Sequence, residues 1–314
     1  MSILRIASYY ENRLGRNDGN PLYMYNAFGR FKDYGIESGH LIPQGDLSRF
    51  GMWDLHFEAD WGEDALRGVL PYIPTPIPKP SAFWHSDTHL GYEWRLEKAR
   101  HTDFNFVAQK RAVEEFKRDG IPNPIWMPHA VEPIGVPGVS ADGKPDILRC
   151  YDYFPSIKKY DLCFIGHINA ENRIEALDRM FKEFPNFFFG QRLFRDAAEV
   201  FCQSRIVFNI SVKDDINMRC FEALSTKSFL LTNWIPTLDG LFQDGVHLVT
   251  YKTLDEAIEK AKYYIAHDEE REKIAEAGFN EVRAKHTFKH RCEQVMDVCL
   301  PGWKKNKKEE LVPA

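Results

Sequence analysis

The chain has 314 residues, 41 basic against 46 acidic side chains, and a formal net charge of −5. At about 100–200 residues per domain this length predicts two domains, and 44% apolar with 14% aromatic residues excludes a disordered chain. The slightly acidic balance argues against a surface that binds nucleic acid throughout and leaves a local basic groove open. The six cysteines, Cys150, Cys163, Cys202, Cys220, Cys292 and Cys299, form no C-x-x-C pair. They read as reduced, mostly buried thiols of a cytoplasmic protein. The first residues read as a short strand rather than a signal peptide, and no apolar run approaches the ~18 residues that span a bilayer.

Leu4–Ser8 is short and apolar, as a buried parallel strand requires. A Gly/Asn-rich loop, Leu14–Asn20, precedes a helix opened by Pro21 and running to Asp33. Strands follow at Asp54–Asp60, Ser81–Trp84 and Phe104–Ala108, with helices at Glu93–Arg100 and Lys110–Asp119. Pro122–Pro145 is rich in Pro and Gly and reads as a loop near a domain boundary. The second half restarts with a strand at Leu162–Ile165 closed by Gly166. Helices are predicted near Ala170–Glu183, Arg195–Gln203 and Ile216–Leu224, and strands at Phe187–Phe189, Ile206–Ile210, Phe229–Thr232 and His247–Tyr251. Leu254, Ile258, Ala261 and Ile265 lie at helical spacing, and helices follow at Glu269–Lys285 and Phe288–Val298. Repeated strand–helix units imply parallel sheets covered by helices, so two doubly wound α/β domains in tandem are the simplest account.

Open α/β sheets bind ligands at the carboxyl ends of their strands. The segment Ser211–Asn233 (SVKDDINMRCFEALSTKSFLLTN) follows such an end. Asp214 or Asp215 can cap the helix that follows, whose free N–H groups suit an anion. Arg219 and Glu222, three residues apart, share a helix face. They offer a cation for phosphate and a carboxylate for a ribose diol, or else form a plain surface pair.

Asp214 and Glu222, with seven residues between them, resemble the E-x7-E element of GT-B glycosyltransferases with Asp in the first place. The N-x-R-x-F-E-A-L run and the later F-L-L-T-N resemble the CgeB-like, spore-maturation-type glycosyltransferases. So do Ile274–Gly278, His286–Arg291, Trp126–Pro133 and Asp161–Gly166. The resemblance is dense from Trp126 to Arg291. It implies a GT-B fold, with two Rossmann-like domains facing a cleft and a C-terminal helix, His286–Val298, crossing back to the first domain. Residues 1–155 would then be the acceptor domain, 156–285 the nucleotide-sugar domain, and 286–314 the crossover helix and charged tail.

Carried over to this sequence, the resemblance implies that Glu222 binds the ribose hydroxyls and that Asp214 lies near the donor sugar. It also implies that Gly166 and His167 approach the donor. Ser225, Thr226 and Lys227 stand where the family usually has Gly. No D-x-D triplet occurs, so cations and a helix N-terminus must stabilise the diphosphate without a metal. Arg219 is the first candidate, then Arg192 and Lys213. On the acceptor side, His85 and Asp87 after a predicted strand are candidate bases, or else members of a capped turn. Asp18 and Gly19 in the first loop can border the acceptor. Trp84, with Phe83, Tyr92 and Trp94, can stack on a sugar or pack in the core.

The resulting expectation is a hexosyltransferase-like enzyme with a nucleoside diphosphate sugar as co-substrate and no other cofactor. The acceptor can be a glycan, a protein, a small molecule or a modified DNA base, so nucleic acid enters only as an acceptor. The alternative is a non-catalytic GT-B-like protein that binds a nucleotide or glycan. A dinucleotide-dependent oxidoreductase lacks its G-x-G-x-x-G after the first strand.

Overall fold

The run Leu4–Tyr9 (β1) forms a strand because Ile6 and Ala7 can be buried on opposite faces of one sheet, as parallel strands covered by helices allow. The computed structural model of the chain describes residues 3–9, 19–41, 53–60, 79–134, 136–139, 145–168, 171–212 and 215–306. The fold divides into two compact units, Met1–Pro128 with Phe288–Ala314, and His129–Thr287.

In the first unit β1 is joined by β2 (Ile36–Leu41), β3 (Leu55–Ala59), β4 (Ser81–His85), β5 (Phe104–Val107) and β6 (Ile125–Trp126). Their order is β2-β1-β3-β4-β5-β6, and each neighbouring pair is parallel. Helices α1 (Asn20–Phe28), α2 (Tyr92–Arg100) and α3 (Lys110–Arg118) connect them. The helix expected to Asp33 ends at Phe28 and continues as a 3-10 turn, Gly29–Tyr34. All five residues of β3 and of β4 are buried, so these strands lie between two helical layers.

The second unit carries the hairpin β7 (Val136–Val139) and β8 (Pro145–Arg149). Its sheet comprises β9 (Tyr160–Ile165), β10 (Phe187–Gly190), β11 (Ser204–Asn209), β12 (Phe229–Asn233) and β13 (Val249–Tyr251). The order is β10-β9-β11-β12-β13, again all parallel. Helices α4 (Glu171–Glu183), α5 (Phe194–Gln203), α6 (Met218–Ser225), α7 (Leu254–Ala266) and α8 (Asp268–Lys285) alternate with the strands. One core runs from Leu162 and Phe164 through Phe208 and Leu231 to Ile258 and Ile274.

The last helix, α9 (Phe288–Cys299), belongs to the first unit. Phe288 packs tilted against Tyr23 at 4.8 Å and meets Trp84 edge-on at 6.1 Å. The Arg291 side chain donates to the Pro128 carbonyl at 2.7 Å, and burial pulls its guanidinium down to about 10. All six cysteines are buried thiols outside any disulfide. Among the described residues no helix is long and apolar enough to cross a membrane.

Candidate functional site

In the second sheet the connection from β9 runs outward to β10, and the chain then returns to β11 on the other side of β9. The carboxyl ends of β9 and β11 therefore flank a topological switch point, where doubly wound sheets open a crevice for ligands. Gly166 follows β9, and Asn209 ends β11.

Arg219, on the first turn of α6, reaches both. Its Nη1 donates to Asn209 Oδ1 at 3.0 Å, and its guanidinium lies 4.9 Å from the centre of the Phe164 ring. It also lies directly against Gly166: a Cβ there would be 2.8 Å from the Arg219 Cζ. Gly166 has φ +152°, which also favours glycine. Asn209 is fully buried. Its Oδ1 accepts from Asn217 Nδ2 at 3.2 Å as well as from Arg219, and its Nδ2 donates to Thr232 Oγ1 at 2.9 Å. The amide is thus spent on both sides, which fixes its orientation and that of Arg219.

A second guanidinium stands beside the first. Arg173, on the first turn of α4, donates from Nη1 to the His167 carbonyl and from Nη2 to the Ile210 carbonyl, both at 3.0 Å. Its Cζ is 6.0 Å from the Phe164 ring centre. Burial lowers the pKa of both arginines; Arg219 adds to the effect on Arg173, and Glu222 opposes it on Arg219. Two cations held at one strand end favour an anion there.

Glu222, one turn after Arg219, is half-buried. Burial pushes its carboxyl up to about 7, against the opposing pull of Arg219 and of the nearby Tyr151 hydroxyl. A carboxylate with acceptor capacity next to an anion site suits a vicinal diol attached to a phosphate.

The expected cap of α6 is different in the structure. The helix starts at Met218, Asn217 holds the cap position without a side-chain cap bond, and its amide is used on Asn209 instead. Asp215 precedes that cap, its N–H donating to the Val212 carbonyl at 3.2 Å. Asp214, Lys213 and Asp18 lie outside the described residues.

Of the other predicted residues, His167 and Arg192 adjoin the site on its exposed side. Gln191 Nε2 pairs with His167 Nδ1 at 3.2 Å, and Arg192 Nη1 donates to the Gln191 carbonyl at 2.8 Å with its guanidinium over Phe188.

The remaining predicted residues belong to the first unit. Gly19 precedes α1 at φ +109°, and Asp87 is half-buried ahead of a 3-10 turn, Thr88–Leu90. His85 is fully buried, its Nε2 paired with Asn105 Oδ1 at 2.9 Å and its ring against Phe83 and Phe116. Burial pulls its pKa down to about 3. Trp84 is fully buried, with Nε1 donating to the Met127 carbonyl at 2.9 Å. In this structure both are packing residues. Among the described residues no three His, Cys, Asp or Glu side chains gather as a metal cluster.

Arg173, Asn209 and Tyr151 were not read from the sequence. The available signal for Asn209 was a polar residue closing an apolar strand.

Among solved structures, one of Anabaena HepE (Alr3699) in complex with UDP and glucose is similar, with TM-score 0.58, 12% identity, and 94% of this chain and 98% of that one covered. Both units are thus covered by a single likeness. The fold is GT-B.

The GT-B likeness extends to sucrose-phosphate synthase from Thermosynechococcus elongatus (TM-score 0.58, 11% identity, 94% and 98% covered). It extends also to an alpha-glucosyltransferase in complex with UDP and a 13-mer DNA containing a HMU base (TM-score 0.57, 10% identity, 95% and 100% covered). A family described as glycosyl transferase-like matches residues 171–297, which include Arg173, Arg219 and Glu222. A comparison with curated proteins yields no match.

Proposed function

We propose that this chain is a metal-independent glycosyltransferase that moves a sugar from a nucleoside diphosphate sugar, UDP-linked by preference, to an acceptor hydroxyl. The observation that carries the reading is the placement of Arg219 and Glu222 on one helix face at the switch point of the second sheet, with Gly166 left bare to admit the arginine. UDP in the partners named for HepE and for the alpha-glucosyltransferase supports the choice of nucleotide.

In this reading Glu222 accepts hydrogen bonds from the ribose hydroxyls, and Arg219 and Arg173 face the diphosphate. During transfer the bond between the anomeric carbon and the β-phosphate oxygen breaks, and its electron pair stays on the phosphate. The two guanidiniums are already in place where that charge grows, and such prearranged cations lower the barrier. The acceptor oxygen forms the new bond and gives up its proton to a carboxylate base, the role assigned to Asp87. His167 and Arg192 line the approach to the donor. Lys213 and Asp214, which precede α6 in the sequence, are assigned to the phosphate and to the donor sugar. The acceptor side is assigned to the carboxyl edge of the first sheet, with Asp18, Gly19 and Asp87. The CgeB-like subfamily is the proposed affiliation.

Calorimetric titration with UDP, ADP, GDP and TDP in the presence of EDTA tests this directly. UDP binding that survives EDTA and is lost in Glu222→Gln supports the reading. No binding of any nucleotide, together with no hydrolysis of any nucleotide sugar, sinks it.

A further inference from the structure

The F-L-L-T-N run is strand β12 itself, and it closes on two polar residues, Thr232 and Asn233. Both turn to the neighbouring strand end. Thr232 is fully buried, and its Oγ1 accepts from Asn209 Nδ2 at 2.9 Å. Asn233 clamps the chain two residues beyond Asn209. Its Oδ1 accepts the Ser211 N–H at 2.6 Å, and its Nδ2 donates to the Ser211 carbonyl at 3.2 Å. From beyond β12, Tyr251 at the end of β13 donates its hydroxyl to the Asn209 carbonyl at 3.0 Å. The backbone around Asn209 is therefore fastened from two strands, and the freedom left to Asn209 is rotation of its amide.

Thr232 takes up that freedom. A guanidinium only donates, so the amide must show Arg219 its oxygen. Its nitrogen then needs an acceptor, and Thr232 Oγ1 is nearer than Ser211 Oγ and Cys220 Sγ, both at 3.4 Å. With the amide set, Oδ1 meets Arg219 Nη1 at 3.0 Å. This contact and the one with the Phe164 ring are both with neutral groups. Two buried arginines elsewhere are held differently: Arg95 is paired with Asp60, and Arg271 with Asp268. A carboxylate in the place of the Asn209 amide would orient Arg219 as well, but it would cancel the charge. An amide orients the guanidinium and leaves its charge for a ligand.

We propose that Thr232 and Asn209 form a neutral relay that positions Arg219 for the diphosphate: the threonine hydroxyl sets the amide, and the amide sets the guanidinium without neutralising it. The proposal rests on the reading of Arg219 as a diphosphate ligand. Asn209 and Thr232 are fully buried and act on the ligand through Arg219, so they are positioning residues.

The test is UDP affinity, measured by calorimetry on the full chain at low and at physiological ionic strength. Thr232→Val, Arg219→Gln and their double variant form a cycle with the wild type, and Thr232→Ser and Asn209→Asp are measured beside it. Valine keeps the shape of threonine and removes the partner that sets the amide, so UDP should bind about threefold to tenfold more weakly. Thr232→Ser keeps the hydroxyl and should bind UDP as the wild type does. In the Arg219→Gln background Thr232→Val has no further effect. Asn209→Asp keeps the shape and the bond but sets a negative charge against Arg219. It should weaken UDP about tenfold to a hundredfold and flatten the salt dependence of binding, since one cation is withdrawn from the ligand.

Wild-type affinity in Thr232→Val, with Arg219→Gln impaired, overturns the relay and leaves the diphosphate reading intact. A loss in Thr232→Val that persists in the Arg219→Gln background, or that Thr232→Ser shares, also overturns it, because a merely structural residue behaves in that way. Wild-type affinity and salt dependence in Asn209→Asp overturn the role of the neutral amide. Should Asn209→Asp not fold, the contrast between Thr232→Val and Thr232→Ser decides. Wild-type affinity in Arg219→Gln removes the diphosphate reading, and the proposal with it.

Discussion

Gly166→Ala should weaken nucleotide binding although the new methyl group touches no part of the ligand. Gly166 sits at φ +152°, and its N–H is committed to the Gly190 carbonyl at 3.1 Å. The backbone therefore cannot swing aside without giving up a bond at the sheet edge. A Cβ would come within 2.8 Å of the Arg219 Cζ and 3.3 Å of its Nη1, both inside contact distance. Arg219 is the part that yields, since its head is the far end of a flexible side chain. Yielding costs its charge-assisted bond to Asn209, about 1.5–3 kcal/mol, and its place over Phe164. If that head also binds the diphosphate, the same order of energy is lost from the complex, about tenfold to a hundredfold in UDP affinity. The backbone strain, about 1–3 kcal/mol, falls on folding and is read separately in a urea titration. Calorimetry with UDP on Gly166→Ala, Arg219→Ala and the double variant decides the matter. Both changes strike one contact, so the double variant should bind no worse than Arg219→Ala. Additive losses, or wild-type affinity in Gly166→Ala, would refute the claim that Gly166 exists to seat Arg219.

Most of the fold was legible because both sheets are parallel and covered. Their strands then read as short apolar runs, such as LCFI and FFF, that stand out between amphipathic helices. β2 was missed because IESGHL puts Glu, Ser, Gly and His between its two apolar residues, Ile36 and Leu41, and so does not read as an apolar run. The hairpin β7–β8 was missed because V-P-G-V and a leading Pro145 look like turn chemistry, although Pro and Gly are tolerated in an isolated two-stranded ribbon. Ile216 marked the wrong helix start: it is fully buried, but ahead of the helix rather than in it.

The candidate site was half legible, for a reason of distance along the chain. Arg219 and Glu222 share a helix, so spacing alone puts them together. Arg173 and Asn209 come from two other segments that the crossing from β9 to β11 gathers, and Tyr151 from a third, held to the end of α6 by Ser225. His85 was read as part of a loop after the strand, and Trp84 as open to a sugar or to the core, because a strand end in a parallel sheet can point into either helical layer. The sequence period does not say that both layers are present along all of β4.

Three further outcomes are expected. Arg173→Gln should weaken UDP about tenfold and flatten the salt dependence of binding, measured by calorimetry at two ionic strengths; a stability change alone would make Arg173 only a clamp on the His167 and Ile210 carbonyls. Glu222 keeps its proton to about pH 7 in the folded chain and to about 4.3 when unfolded. Its contribution to stability is therefore complete below the lower value and declines as pH rises to the upper one; urea titrations at pH 5 and 8 should show that decline in the wild type and a smaller one in Glu222→Gln. The third concerns the first unit, where Asp60 and Arg95 are both fully buried and paired. Asp60 Oδ2 also accepts the Ser86 N–H at 3.3 Å, and Gln109 ties the same turn by donating to the Ser86 carbonyl and accepting from Thr88. In Asp60→Leu the guanidinium loses its carboxylate and keeps the carbonyls of Leu90 and Gly91, at 3.2 and 3.3 Å, and the face of the Trp94 ring at 4.2 Å. A buried charge stripped of its partner costs about 3–5 kcal/mol, whereas replacing both members by apolar groups can be neutral. Asp60→Leu should therefore be far less stable than the double variant Asp60→Leu/Arg95→Met in urea titration. The exposed pair Lys117–Glu114, disrupted as Glu114→Gln, should lose at most about 1 kcal/mol. If Asp60→Leu is as mild as that, the turn that carries Asp87 is held by its hydrogen bonds to Gln109, and the ion pair is incidental to it.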